Sequence, residues 1–233
     1  MKALLLAAGL GTRLRPITDH LPKCLVSVHG RPLLDYWLEP LLANGVQRLL
    51  VNTHYLPQAV RDFVAASPWR DRIDLVHEPE LLGTGGTVLR NREFFGAAPF
   101  MVGHADNLTQ FDVPLFMAAH VARPAGVEIT MMTFDTDAPE TCGIVEQDAQ
   151  GIVVRFHEKS PTASGRRANA AVYIFEPRVI DFLVSLGKPV IDLSLEVIPH
   201  YLGRIYGFHN TGYHRDIGSP ASLQRAELEF GRA

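Results

Sequence analysis

Apolar and polar positions along this chain fall into two regimes. In the first, short apolar runs alternate with stretches of helical period. Residues 2–8, Lys2 followed by Ala3-Leu4-Leu5-Leu6-Ala7-Ala8, form an apolar run stopped by Gly9, which predicts a buried strand. Over residues 31–44, Leu33, Leu34, Trp37, Leu38, Leu41 and Leu42 share one helical stripe. This predicts a helix that Pro40 should kink and Gly45 should end. The same reasoning gives strands at 48–53, 73–77 and 100–103 and helices at 58–66 and about 113–121. Strands and helices alternating at this spacing predict parallel βαβ units, with helices on both faces of an open sheet. In such sheets ligands bind beyond the carboxyl ends of the strands, so the loops after Ala8, His77 and Gly103 are the ones to inspect.

After residue 126 the pattern changes. Residues 128–134, 143–147, 153–157 and 170–175 read as strands with few helices between them, and Asp148-Ala149-Gln150-Gly151 reads as a hairpin turn. A helix near 219–230 closes the chain, and no repeat, linker or low-complexity tract interrupts it. The expectation is one domain over 1–233, an α/β fold with a Rossmann-like open, mixed and mostly parallel sheet flanked by helices, whose β-rich second half completes one site.

Composition narrows the function. With 47% hydrophobic and 20% charged residues in 233, the chain is an ordinary globular one, long enough to bury a core of its own. A net charge of -3 excludes a general attraction to nucleic acid or to an anionic membrane, so any polyphosphate has to be held by a local site. Cys24 and Cys142 lie far apart without metal-ligand spacing, which argues for reduced cytoplasmic thiols rather than a disulfide framework or a zinc site. The apolar N-terminus imitates a signal peptide, but Gly9, Gly11, Arg13 and Arg15 stand where a cleavage region belongs. No segment reaches the ~20 apolar residues that span a bilayer.

Candidate chemistry begins at the first loop. Residues 8–25 read Ala-Gly-Leu-Gly-Thr-Arg-Leu-Arg-Pro-Ile-Thr-Asp-His-Leu-Pro-Lys-Cys-Leu, a glycine loop with basic residues directly after a strand. Glycines let backbone N–H groups approach phosphate oxygens closely. Leu14 occupies the place of a dinucleotide fingerprint's third glycine, and no Gly-Lys-Ser/Thr follows as in a P-loop. None of the ten histidines forms a tight ligand pair, and no Gly-x-Ser-x-Gly elbow is present.

Gly9-Leu-Gly-Thr-Arg-Leu-Arg-Pro-Ile-Thr18 followed by Leu21-Pro-Lys-Cys-Leu25 resembles the signature of the sugar-1-phosphate nucleotidylyltransferases, whose fold is the nucleotide-diphospho-sugar transferase fold. The resemblance implies that Leu6, Ala8, Gly9, Gly11 and Thr12 line the nucleotide. It also implies that Arg13 stabilises charge on the leaving pyrophosphate and that Lys23 holds phosphate. It continues through His77-Glu78-Pro-Glu-Leu-Leu-Gly83-Thr-Gly85-Gly86, where the family has a base-reading residue five positions before a glycine turn. That residue here is Glu78. A carboxylate only accepts hydrogen bonds, and guanine offers two adjacent donors, so Glu78 favours GTP over UTP or dTTP. The alternative is that Glu78 points to solvent and the backbone near Gly83 and Gly85 reads the base.

In Gly103-His-Ala-Asp106-Asn107 the resemblance places the principal metal ligand at Asp106, and in Arg215-Asp216-Ile-Gly218 the second at Asp216. Two carboxylates suffice for Mg²⁺, which keeps much of its shell for water and phosphate. The family's shorter spacing before the ligand leaves His104 as a packing or hydrogen-bonding residue. Cys142-Gly143, Phe156-His-Glu158-Lys159 and Ala168-Asn169-Ala-Ala-Val-Tyr173 are similar to the family's sugar-phosphate-binding segments. There Gly143 offers backbone contacts, Glu158 and Asn169 bond sugar hydroxyls, and Lys159 holds the sugar's phosphate. Residues 1–125 are then the nucleotide-binding part and 126–233 the sugar-phosphate-binding part of one catalytic domain.

The resemblance implies an enzyme that makes an NDP-sugar and pyrophosphate from an NTP and a sugar 1-phosphate. GTP with mannose- or heptose-1-phosphate, for cell-surface polysaccharide precursors, is favoured. An N-acetylmuramic acid 1-phosphate uridylyltransferase, or another member using UTP or dTTP, is the nearest competitor. A non-catalytic nucleotide-sugar sensor is the alternative of another class, though the charged site residues are all present. At 233 residues, the left-handed β-helix domain of some relatives is not expected. A homo-oligomer is open to it, with Tyr201-Leu202 read as core before interface.

Overall fold

A computed structural model describes residues 1–160 and 165–231. Two compact units divide the chain, the first made of residues 1–81, 103–113 and 212 onward, the second of residues 82–102 and 114–211.

In the first unit, strands Lys2–Leu6, Arg48–Thr53 and Ile73–His77 run parallel, with Leu4 opposite Leu50 and Val51 opposite Leu75. The first two are legible as apolar runs because side chains on both faces are covered, which removes the polar alternation of a half-exposed strand, whereas Ile73–His77 is only partly buried. Helix Asp35–Ala43 buries Trp37, Leu38, Leu41 and Leu42, and helix Pro57–Ala66 buries Val60 and Val64. The first of these starts later than expected because Arg31–Pro32 pairs antiparallel with Ser27–Val28. Pro40 lies inside it, and Gly45, at φ 100°, follows its last turn. A separate cluster of Leu14, Val26, Val28, Leu33, Leu108, Ile217 and Ala226 ties the glycine loop to the chain's end. Helix Pro220–Glu229, capped by Ser219, supplies Ala226 to it.

The second unit is antiparallel in the main. Strand Arg167–Phe175 pairs antiparallel with Ile129–Asp135, and Gly143–Gln147 pairs antiparallel with Val153–Glu158 through a turn at Asp148–Gly151, as expected. Strand Ile205–His209, not predicted from the sequence, adds parallel to Ile129–Asp135. In the core of this unit Phe95 stacks on Phe100, which meets Phe175 at a tilt.

Three elements differ from expectation. Gly83-Thr84-Gly85-Gly86 opens helix Gly83–Arg90 instead of forming a turn. Glycine is unfavourable inside a helix, but here a Cβ on Gly86 would stand 2.2 Å from the Pro189 carbonyl oxygen and one on Gly85 would stand 2.8 Å from Ile191 Cγ2. The glycines admit a neighbouring backbone. Helix Arg178–Ser185, rich in Val, Ile and Phe, is too short for its period to stand out from a strand. A π-helical turn at Leu193–Val197, capped by the Asp192 carboxylate on Leu195 N–H, carries no sequence signal of its own. The α/β class with a β-rich second portion holds, as a mixed sheet flanked by helices, and no helix among the described residues is long and apolar enough to cross a membrane.

Candidate functional site

The loop after the first strand is shaped by one glycine. Gly11 takes φ 63°, and a Cβ there would meet Thr18 Cγ2 at 2.9 Å. The Thr18 hydroxyl donates to Gly11 O at 2.7 Å, which holds the loop closed over a single turn at Thr12–Leu14. Buried Leu14 anchors that turn, so Arg13 beside it projects outward with its side chain 75% exposed. Ala7 and Ala8 are buried, and the Ala7 N–H is bound by Asn52 Oδ1 at 2.7 Å.

A second pairing brings the carboxylates in. Strand Asn107–Thr109 pairs antiparallel with His214–Asp216, and the register puts Asp216 opposite Asn107, one residue from Asp106. Trp37, buried in its helix, donates its indole N–H to Asn107 O at 2.9 Å, and its ring lies against Gly103. Lys23, on a buried turn, then places Nζ 2.7 Å from Asp106 Oδ2 and 3.0 Å from Asp216 Oδ1. Burial works to lower the Lys23 pKa, but the two carboxylates overcome it and the ammonium is held above its ordinary value. Burial likewise works to raise Asp106, and the charges of Lys23 and His104 with the Lys23 hydrogen bond bring it below the usual carboxylate range. Arg13 Nη2 approaches Asp216 Oδ2 at 3.7 Å, and a Cβ on Gly218 would sit 2.7 Å from that same oxygen. Gly9 completes the surround, its Cβ position 4.0 Å from Asp106 Oδ2. Next to this, half-buried His214 is depressed to about 3 by desolvation and by the nearby His104 and Arg215, with Nδ1 2.9 Å from Thr109 Oγ1.

The arrangement suits a hard cation. Two carboxylates already converge on one positive charge, their donor atoms are all oxygen, and Gly9 and Gly218 bring no side chain of their own beside them. Among the described residues no group of three or more His, Cys, Asp or Glu stands ready for a metal. A pair of carboxylates with an open remainder is the donor set Mg²⁺ accepts. Sequence reasoning misses Trp37 and His214, because an apolar helical stripe and a lone histidine give no hint of the strand pairing that brings them here.

Glu78 follows strand Ile73–His77 and is 3% exposed, so it does not point to solvent. Its N–H donates to Thr53 O, and its carbonyl accepts from His54 Nδ1 at 2.7 Å, which requires the proton on that nitrogen. Its side-chain Oε1 is buried with no hydrogen-bond partner among the described residues. Gly83 and Gly85 belong to the second unit. There the Gly85 N–H donates to Ile191 O at 2.9 Å, and Gly83, at φ 72°, lies against the same carbonyl.

The sugar-segment residues of the second unit come together in part. Gly143 pairs opposite Glu158, and a Cβ on it would lie 2.5 Å from Phe156 Cζ and 2.7 Å from Glu158 Oε2. Lys159 follows the strand at φ 45°, with Nζ 3.6 Å from Glu158 Oε1. Burial raises the Glu158 carboxyl, Lys159 opposes this, and the Asp192 charge adds to it. Asn169 bonds to the buried phenol of Tyr173, which in turn feels the charge of Glu158. The sequence places Tyr173 in the same segment as Asn169 but gives it no role of its own.

Known proteins of similar sequence and structure match along nearly the whole chain. A mannose-1-phosphate guanylyltransferase of Mycobacterium tuberculosis is 31% identical over 235 residues, 99% of this chain and 64% of that protein. The chain thus spans somewhat under two thirds of that relative's length. A structure described as a putative glucose-1-phosphate thymidylyltransferase from Bacillus anthracis, in complex with a sucrose, superposes with TM-score 0.87 at 20% identity, covering 98% of this chain and 94% of that one. HddC from Yersinia pseudotuberculosis, in complex with GMP-PN, superposes with TM-score 0.79 at 26% identity, covering 98% and 99%. The nucleotidyl transferase family matches residues 2–232. The resemblance drawn from the glycine loop therefore holds across the chain, which belongs to the nucleotidyl transferase family.

Proposed function

We propose that this protein is a sugar-1-phosphate nucleotidylyltransferase that takes GTP and a mannose- or heptose-type sugar 1-phosphate and makes a GDP-sugar for cell-surface polysaccharide. The observation that carries the reading is the convergence of Asp106 and Asp216 on one ammonium beside the Gly9–Gly11 loop. The guanylyltransferase of Mycobacterium tuberculosis and the GMP-PN complex of HddC support the choice of nucleotide. So does Glu78, whose buried Oε1 has no partner among the described residues and, as a carboxylate oxygen, suits guanine N1–H and its 2-amino group.

In the reaction a phosphate oxygen of the sugar 1-phosphate attacks the α-phosphorus of GTP. The new O–Pα bond forms as the Pα–O bond to the β-phosphate breaks, and that electron pair leaves with pyrophosphate. A phosphate dianion is already a nucleophile, so no side chain has to remove a proton. The backbone of Leu6, Ala8, Gly9, Gly11 and Thr12 cradles the nucleotide. Arg13, exposed and directed outward, offsets charge on the departing pyrophosphate, and Lys23 does the same for the bound phosphates. Gly143, Glu158 and Asn169 bind the sugar and Lys159 its phosphate. Asp106 and Asp216 would hold Mg²⁺, which when bound supplies positive charge to phosphate oxygens. Residues 1–125 and 126–233 act in this reading as the nucleotide and sugar-phosphate parts of one cytoplasmic catalytic domain.

Asp106→Asn tests the assignment. It should keep the fold and lower kcat about 100-fold or more, the scale expected when one preorganised charge at the reacting phosphates is lost. Wild-type turnover by that variant would sink the proposal.

A further inference from the structure

We propose that Tyr173 is a positioning residue that aims Asn169 at the sugar, so that a phenol with no access to the substrate sets hydroxyl recognition. The inference rests on the reading of Asn169 as a sugar-binding residue.

Strand Arg167–Phe175 loses its regular register between Asn169 and Tyr173. Inside that irregularity Ala171 takes φ 55°, a left-handed conformation unfavourable for a residue with a Cβ. Asn169 holds it there, since its Oδ1 accepts from the Ala171 N–H at 2.9 Å. In a regular strand residues four apart are separated by about 13 Å. Here the irregularity brings the Asn169 amide onto the Tyr173 hydroxyl, with Nδ2 donating at 2.6 Å. Bulges near active sites commonly re-aim a side chain in this way.

The two bonds fix the amide completely. The Ala171 N–H can only donate, so Oδ1 must face it, and Nδ2 must then face the phenol. One N–H of Asn169 is left to donate to an oxygen of the sugar, while the Glu158 carboxylate nearby can accept from a hydroxyl. The site thus asks for a sugar that presents an acceptor to one side chain and a donor to the other. Tyr173 is 1% exposed, stacks on Phe175 at 5.3 Å and also bonds Ser194. Burial pushes its pKa well up, so it stays a neutral phenol. It is placed to hold Asn169 and too buried to touch the sugar itself.

The test is a double-mutant cycle on Tyr173→Phe and Asn169→Ala, measured as KM for GTP and for mannose 1-phosphate, or for whichever sugar 1-phosphate the wild type uses. Tyr173→Phe should raise the sugar-phosphate KM about five- to tenfold, the effect of one hydrogen bond, and leave kcat and the GTP KM within about twofold. In the Asn169→Ala background the same substitution should add nothing. Additive effects, or an unchanged sugar KM in Tyr173→Phe, overturn the inference. If Tyr173→Phe does not fold, Ser194→Ala removes the phenol's other partner, and its rise in sugar KM should also vanish without Asn169. An active wild type with additive variants defeats this inference alone. A wild type that turns over no sugar 1-phosphate defeats the functional reading and the inference with it.

Discussion

Lys23 stands where a divalent cation would be drawn, and Lys23→Met tests whether ammonium and metal compete for that position. Nζ lies 2.7 and 3.0 Å from its two carboxylate oxygens, so those oxygens are no more than about 6 Å apart. Methionine keeps the length and removes the charge, leaving two carboxylates facing one another. At that separation their repulsion is about 1–3 kcal/mol for effective dielectrics between bulk water and a protein surface. The Asp216 side chain is 54% exposed, so solvent screening puts the effect in the lower half of that range. For a chain of this size it corresponds to a melting temperature about 2–8 °C lower. A divalent cation should cancel the loss, because it replaces the missing charge. Thermal melts with and without millimolar Mg²⁺ therefore form the assay, with Mn²⁺ binding followed by electron paramagnetic resonance. The variant should be rescued by Mg²⁺ and bind Mn²⁺ about tenfold more tightly without nucleotide, since the competing ammonium is gone, and its kcat/KM for GTP should fall about 100-fold. Equal melts with and without Mg²⁺, and unchanged Mn²⁺ affinity, would show that ammonium and metal do not share this position.

Three further outcomes are expected. Glu78→Gln should lower kcat/KM for GTP about 10- to 100-fold and narrow the gap to UTP, measured by initial rates with each nucleotide, because a charged acceptor is exchanged for an amide; unchanged preference would remove Glu78 from base reading. Ala171→Gly should raise stability by about 0.5–1 kcal/mol in urea denaturation, since glycine accepts φ 55° without a Cβ penalty; a destabilised variant would contradict the strain argument. His120 is depressed to about 4 by burial and by Arg123, against the pull of Glu176. It is neutral when folded and takes a proton below about 6.5 when unfolded. Stability linked to it is therefore full above that pH and falls by up to about 1.4 kcal/mol per unit as pH drops toward 4. His120→Gln should flatten that slope in denaturation curves taken from pH 7 to 4.5, and an unaltered slope would clear His120 of the effect.

Elements whose burial follows a simple period are legible from sequence. Strands Arg48–Thr53, Ile73–His77 and Gly143–Gln147 and helix Val113–Val121 match their predicted spans to the residue. The glycine loop is also legible, because Gly11 has a local reason for its identity. Gly83, Gly85 and Gly86 mislead for the opposite reason, since they answer to Ile191 and Pro189, far along the chain. The candidate cation site is legible as residue types but not as geometry. Nothing near Lys23 in sequence reveals that its ammonium bridges Asp106 and Asp216, a contact made by the antiparallel pairing of two three-residue strands. Tyr173 escapes because a tyrosine in an apolar strand reads as core, and only the irregular register brings its hydroxyl to Asn169.

The central claim is tested most directly by pyrophosphate release from GTP, UTP, dTTP, CTP and ATP in turn, with Mg²⁺, against mannose-, glucose-, heptose- and N-acetylmuramic acid 1-phosphates. The account predicts release with GTP and a mannose- or heptose-type sugar, dependent on both substrates. Release confined to UTP or dTTP would contradict the role given to Glu78, and nucleotide binding without release from any pair would contradict the enzyme itself.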